Sequence, residues 1–461
     1  MKKNFTIKSI YKLAWPAIIS HATVMFISII DLTFIAKLQV ATVAIAATAI
    51  ANNICAAIYA FLEGLRSGTT VLVARFSGAN RENDISKVIN VALLSALLIG
   101  IILAIIAPVA SFLLYSHIGK AEITKLGYPY LTIRLMGLPF HLIIFSIIGT
   151  FRGLKNTFYP FIITISTCFA NILFNYAFTS GIFGLPQLSM KSIALATAIA
   201  YFLGAALSFI FLLKTPTSKK YINFKARLKL KHKGFFKHFR KTDKKILKSF
   251  VKLVTEIGLY AGVLVLAFFV FISMFTALGP KNFTAHQIVM QVFLATYLPP
   301  MGFFVASAII IGKILGEKQG HLVIPVTRKI WLSSLPIVGS IASLAAVFAR
   351  PIAIFFSRGD PEIISVTVPS IYLVCAAQLL SSAYLVVKGS LTAAKDTRFV
   401  FIVGTMTSYL FFLPLSYILG IWLNYGVSGG YIAFLSWTAL DMTVFSIRLI
   451  VGKPWGWINS N

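Results

Sequence analysis

Carboxylates are scarce in this chain. Of 461 residues only 12 are Asp or Glu, against 42 Lys and Arg, and charged residues of both signs make up 12%. A soluble domain carries roughly twice that share of charge, so a water-facing surface is excluded for most of the molecule. Cysteine is rarer still: Cys55, Cys168 and Cys375 all lie in apolar segments without metal-ligand spacing. That excludes a disulfide framework and a cysteine-based metal centre, and leaves three small buried hydrophobes. No Walker-type loop is present, so the chain offers no such cradle for ATP. Neither paired catalytic acids nor a Ser/His/Asp arrangement stands out, so a membrane enzyme such as a lipid-modifying transferase is not expected. The net charge of +30 would suggest nucleic acid in a soluble protein. Here the basic residues fall in short loops and one linker, which fits orientation in a membrane and attraction to anionic lipid, with no nucleic-acid partner.

What the chain has instead is apolar length. Hydrophobic residues make up 58% and the mean hydropathy is +0.88, with runs of about 20 residues recurring end to end, the length a spanning helix needs. This is an all-α polytopic membrane protein; a β-barrel would show short alternating segments. About twelve spans are expected, near 12–36, 44–73, 87–115, 126–150, 158–179 and 192–214, then 249–277, 284–314, 327–356, 364–389, 399–422 and 429–450. The opening residues MKKNFTIKSIYK are too polar for a signal core, and the run behind them is too long, so it reads as a retained first span. The domain map is an N-terminal lobe at 1–214, a basic linker at 215–248, a C-terminal lobe at 249–452 and a tail at 453–461. The linker reads as a cytoplasmic tether or an amphipathic helix on the lipid surface. Lys2, Lys3, Lys8, Lys12, Arg75, Arg81, Lys87, Arg152, Lys155, Lys313, Lys318, Lys395, Arg398 and Lys453 share one side with that linker. Lys37, Lys120, Lys125, Lys191, Lys281 and Arg358 mark the poorer side. The richer side should be cytoplasmic, with both termini inside.

The halves look like copies. FRGLKNTFYPF at 151–161 is echoed by LTAAKDTRFVF at 391–401, and RFSGANREND at 75–84 more weakly by KILGEKQGHL at 313–322. Equivalent loops on one side imply a parallel repeat of six helices. The expected architecture is therefore two pseudo-symmetric six-helix lobes around a central cavity, rocking to give alternating access.

Asp31 stands out against this apolar background. It follows Pro16 by about 22 Å along a helix rising 1.5 Å per residue, and such a carboxylate costs roughly 2.5–3.5 kcal/mol to insert. The expectation is that Asp31 titrates or binds a cation and so moves the helices around it; the alternative is a structural ion pair with Arg66 or Arg134. Asn171 and Asn175, four apart, share one helix face and would add oxygens and donors. Their alternative role is interhelical hydrogen bonding. His21 reads as a cavity or packing residue, and Asn52 and Asn53 as bonded to neighbouring helices. Glu256 reads as paired with a linker lysine, and Asp441 as a second-half cation or substrate site or the partner of Arg448; the two acids leave coupling in the second half open as well. Arg66 and Arg134, if they face a cavity, favour anionic substrates.

In their order along the chain, AWPAIIS with Asp31, FLEGLRSGTTVLVARFSGANREN at 61–83, YLTIRLMGLPF at 130–140, FRGLKNTFYP at 151–160, TAHQI at 284–288 and KDTRF at 395–399 resemble the multidrug and toxic compound extrusion (MATE) family of the MOP superfamily. The details look most like its DinF-like branch. The resemblance implies a secondary antiporter that exports organic compounds in exchange for H⁺ or Na⁺, with a lipid-linked oligosaccharide flippase of the same superfamily as the alternative. It implies an ion-coupling cluster of Asp31, Asn171 and Thr197, with Pro16 bending the first helix. Where the branch often has a second aspartate this chain has Asn175, which leaves Asp31 as the sole acid placed deep in the first lobe. His21, Asn52, Asn53, Arg66, Tyr130, Arg134 and Asp441 are the cavity candidates. No cofactor is expected beyond the coupling ion, with Na⁺ at Asp31, Asn171 and Asn175 as the open alternative to H⁺. The substrate would be a small cationic, amphiphilic or acidic organic molecule, and the protein a monomer in a bacterial plasma membrane.

Overall fold

The computed structural model describes residues 6–36, 41–118, 121–181, 190–219, 221 and 244–455. Most of the basic linker, at 222–243, lies outside the described residues, as do Lys2, Lys3, Lys37, Lys120 and tail residues 456–461. Among the described residues the chain is helical, without strands. The first half holds α1 (Ile7–Ile35), α2 (Ala41–Gly78), α3 (Glu82–Ile118), α4 (Ala121–Met136), α5 (Leu138–Gly153), α6 (Phe158–Ser180) and α7 (Met190–Lys214). The second holds α8 (Lys244–Ala277), α9 (Pro280–Gly316), α10 (Val323–Val347), α11 (Ala349–Ser357), α12 (Pro361–Ala393), α13 (Thr397–Met406) and α14 (Gly426–Ile450). Among the described residues ten helical stretches are long and apolar enough to cross a membrane, and the pair α4–α5, bent by 41°, makes an eleventh. Helix α1, at 29 residues, reaches about 44 Å against a hydrocarbon core of about 30 Å.

Local sequence explains the breaks. Pro139, near the start of α5, has no N–H to give Leu135, so the ladder stops there and span four bends. Helix α12 starts on Pro361 with Asp360 as its cap, the carboxylate accepting from the N–H groups of Glu362 and Ile363. Between α13 and α14 the chain stays helical with π turns at Thr407–Phe412 and Ile418–Trp422 flanking a short α segment that carries Pro414.

The repeated loops share one geometry. After α5, Lys155 has φ 61°, its N–H bonds to Arg152 O, and the N–H of Asn156 reaches Phe151 O, both at 2.9 Å. After α12, Lys395 has φ 65°, and Lys395 and Asp396 bond to Thr392 O and Leu391 O, both at 3.0 Å. The weaker echo is equally close: Asn80 (φ 55°) and Arg81 bond to Ser77 O and Phe76 O, and Lys318 (φ 57°) and Gln319 to Leu315 O and Ile314 O. All four are helix stops with a left-handed residue closing the last turn.

The chain divides into two compact units, Ile19–Gly258 and Met1–Ile18 with Leu259–Asn461. The division falls inside α1 and inside α8, so each of these helices begins in one unit and ends in the other. Two glycines show why. A Cβ on Gly64 of α2 would lie 2.1 Å from Val254 O and 2.8 Å from Gly258 N, so α8 lies directly on α2 there. A Cβ on Gly302 of α9 would lie 2.3 Å from Ile18 Cγ1 and 2.9 Å from Ala14 O. Small residues permit such backbone approach, which drives helix association in lipid.

In the first unit (Ile19–Gly258) the core gathers Leu72, Val88, Ile147, Phe151 and Ile193. The second has two clusters, one around Ile309, Ile310 and Phe445, the other aromatic, with Phe271, Phe275, Phe412 and Trp437. Large apolar side chains such as Ile105, Phe355 and Trp422 are exposed, as lipid-facing positions require.

Candidate functional site

Asp31 lies one turn before the end of α1 and is 1% exposed. The bend after Met136 leaves Arg134 in the last turn of α4, with Tyr130 one turn earlier. Asn171 and Asn175 are one turn apart on α6, and Thr197 is on α7. All five are buried with Asp31. Asn175 Nδ2 donates to Asp31 Oδ1 at 2.7 Å, and Arg134 Nη1 and Thr197 Oγ1 approach Oδ2 at 3.2 and 3.4 Å. Behind them Asn175 Nδ2 also reaches Asn171 Oδ1 at 3.2 Å, Asn171 Nδ2 donates to Thr197 Oγ1 at 3.1 Å, and Arg134 Nη1 donates to Tyr130 OH at 3.2 Å.

The cluster is thus built of donors facing one carboxylate. The asparagine oxygens expected here do not bond Asp31: Asn175 presents its amide nitrogen to the carboxylate, Asn171 Oδ1 accepts from Asn175, and Asn175 Oδ1 has no partner. Among the described residues no group of three or more His, Cys, Asp or Glu is placed to hold a metal. The ion pair is with Arg134; Arg66 instead bonds Glu63, through Nε at 2.8 Å and through Nη2, and lies over the Phe145 ring. Glu63 was missed as a second acid inside a first-half span, although an acid three residues before an arginine is legible as a helical pair.

The chain matches the MatE family twice, over residues 16–177 and 261–418. The chain belongs to the MATE family. This MATE protein is 23% identical over 453 residues to "Probable multidrug resistance protein NorM" of Thermotoga maritima, covering 97% of this chain and 92% of the relative. It is 24% identical over 434 residues to "Multidrug resistance protein NorM" of Vibrio cholerae, covering 93% and 91%. Its fold matches a solved outward-facing MATE family transporter of the MOP superfamily with a TM-score of 0.84, at 17% identity and covering 99% and 97% of the two chains. The MATE protein is accordingly a multi-pass membrane transporter rather than an enzyme.

The remaining candidates are dispersed. Pro16 lies inside a continuous α1, two residues before the unit division. His21 Nε2 is buried without a hydrogen-bond partner. Asn52 is half-buried and Asn53 exposed. Contrary to expectation, neither has a side-chain hydrogen bond among the described residues. Their helix buries its other face. Glu256 lies 3.9 Å from Lys252, one turn back on its own helix. Arg448 is not the partner of Asp441, because it bonds Asp396 at 2.7 Å. Asp441, 1% exposed, accepts from Thr407 Oγ1 at 2.7 Å, and its Oδ2 has no partner. Lys388, on α12 in the same unit, escaped the sequence reading because it reads as one more charge ahead of Lys395 and Arg398.

Proposed function

We propose that the protein is a secondary antiporter that exports small organic compounds in exchange for protons, with Asp31 as the group that takes up the proton. The observation that carries this is the donor set around the buried carboxylate. A sodium ion needs several oxygens turned toward it, whereas Asp31 faces the amide nitrogen of Asn175, the guanidinium of Arg134 and the hydroxyl of Thr197. A second cation arriving there meets Arg134 at close range. A proton needs no coordination shell; it discharges the carboxylate and releases the donors. Arg134, Asn175 and Thr197 then lose their anionic acceptor, and α1 is free to bend at Pro16. The names of the Thermotoga and Vibrio relatives support multidrug efflux as the activity. The acid fifteen residues after a proline on the first span supports a place in the DinF-like branch. The basic loops support an inner-membrane protein with both termini cytoplasmic.

One proton moving down the potential supplies about 2.3 kcal/mol per 100 mV, enough to sustain a substrate gradient of nearly 50-fold (a tenfold ratio is about 1.4 kcal/mol). The test is substrate-driven proton flux in proteoliposomes, wild type against Asp31→Asn, with and without sodium, across cationic dyes and organic acids. Sodium-independent flux in the wild type that disappears in Asp31→Asn is expected. Flux that survives the substitution, or transport only with sodium, refutes the assignment.

A further inference from the structure

The second unit holds a pair of opposite charges that do not meet. Lys388 Nζ lies over three rings, 4.1 Å from the centroid of Tyr260, 5.6 Å from Tyr384 and 5.8 Å from Phe304. No carboxylate oxygen among the described residues lies within 4.0 Å of it. Asp441 belongs to the same neighbourhood: Phe445, one turn further along α14, lies edge-on to Tyr384 at 5.4 Å, and Gly404, three residues before the Thr407 that bonds Asp441, abuts the Tyr260 ring. The carboxylate is anchored by one oxygen only. Thr407 donates to Oδ1 at 2.7 Å, and Trp437 Nε1, donating to Thr407 Oγ1 at 3.2 Å, steers the threonine proton toward the acid. Oδ2 is buried and idle. Tyr260 and Tyr384 share a hydrogen bond between their hydroxyls at 2.6 Å, and neither hydroxyl bonds Lys388 or Asp441 among the described residues.

Buried polar groups are nearly always partnered, and unpaired charge at membrane depth marks functional positions. Here one free donor and one free acceptor of opposite sign share an aromatic wall. We propose that this is a binding site for a small net-neutral ligand that carries both a carboxylate and an ammonium, its acid on Lys388 Nζ and its amine on Asp441 Oδ2, with Tyr260, Tyr384 and Phe304 against the spacer between them. Charge bookkeeping in a low-dielectric site selects this class. A plain anion would satisfy Lys388 and crowd Asp441; a plain cation would do the reverse. A zwitterion satisfies both and leaves the net charge unchanged. Lys388, only half-buried, is the end reached first, and Thr407 stands at the start of a π turn, a backbone irregularity that recurs at functional sites. The site names a substrate class for the export reading and rests on that reading for transport, though not for binding.

The experiment is calorimetric titration of the purified full-length protein with 4-(aminomethyl)benzoic acid, its methyl ester and its N-acetyl derivative, which present the zwitterion, the cation and the anion on one scaffold. The zwitterion is expected to bind about 10-fold or more tighter than either derivative, a difference of about 1.4 kcal/mol. Lys388→Gln should abolish its advantage over the ester, and Asp441→Asn its advantage over the N-acetyl acid, while Lys388→Arg retains both. Equal affinities, no binding of any probe, or a zwitterion preference that persists in Lys388→Gln overturns the proposal. Asp31→Asn separates the two readings: it should abolish proton coupling and leave the zwitterion preference intact.

Discussion

Inside hydrocarbon a carboxylate must be discharged or surrounded, and Asp31 is surrounded by three donors from three helices. Arg134 is the one that carries charge, and removing one member of a buried ion pair is more damaging than removing both. Arg134→Met should therefore lower stability by about 3–5 kcal/mol, and adding Asp31→Asn should recover most of the loss. Thermal unfolding of the purified single and double variants reads this directly; additive losses would mean that the two side chains are not coupled. Much of this cluster was legible in the sequence, because an acid in an apolar run and two asparagines a turn apart admit few arrangements. The orientation of the amides was not, since an asparagine offers a donor and an acceptor from the same carbon. Nor was the choice between arginines, although Glu63 ahead of Arg66 held the answer.

The helices themselves were the most legible elements, because an apolar run of spanning length has one stable form in lipid. Their ends moved by a turn or two where polar residues continue the ladder into the interface. The bend after Met136 was carried by Gly137 and Pro139 within a motif already noted, yet its consequence, Arg134 on a terminal turn, needed the coordinates. The close passages at Gly64 and Gly302 were not readable at all, since a lone glycine in an apolar helix does not name its neighbour. They can be weighed against each other. Gly64→Ala drives a methyl into the backbone oxygen of Val254, which cannot rotate away, and should cost about 1–3 kcal/mol. Gly302→Ala meets Ile18 Cγ1 at 2.3 Å and the backbone oxygen of Ala14 only at 2.9 Å, against 2.1 Å to Val254 O for Gly64, and should cost less. Melting temperatures of the two variants check the order, and the reverse order would show that the α1 contact is the more rigid.

The whole chain is two copies of one plan, and the units formed by contact do not coincide with the two halves of the sequence. Residues up to Ile18 belong with the second half, and the start of α8 through Gly258 belongs with the first. Cutting the chain within 222–243 should therefore give two fragments that are each incomplete. Expressed separately, both should be unstable and degraded; expressed together, they should copurify and restore transport, as measured by pull-down and by flux in vesicles. A fragment that is stable alone would show that the exchanged turns contribute little.

The exchange through Gly64 and Gly302 also bears on ancestry. A half-length chain with six spans would have no place in its own copy for its first turns, and could finish folding only by lending them to a twin and borrowing in return. Joining two such copies in one polypeptide makes the loan internal and permanent, after which each copy is free to diverge: the first now carries Asp31 with Arg134, and the second, at different places in its plan, Asp441 and Lys388 held apart.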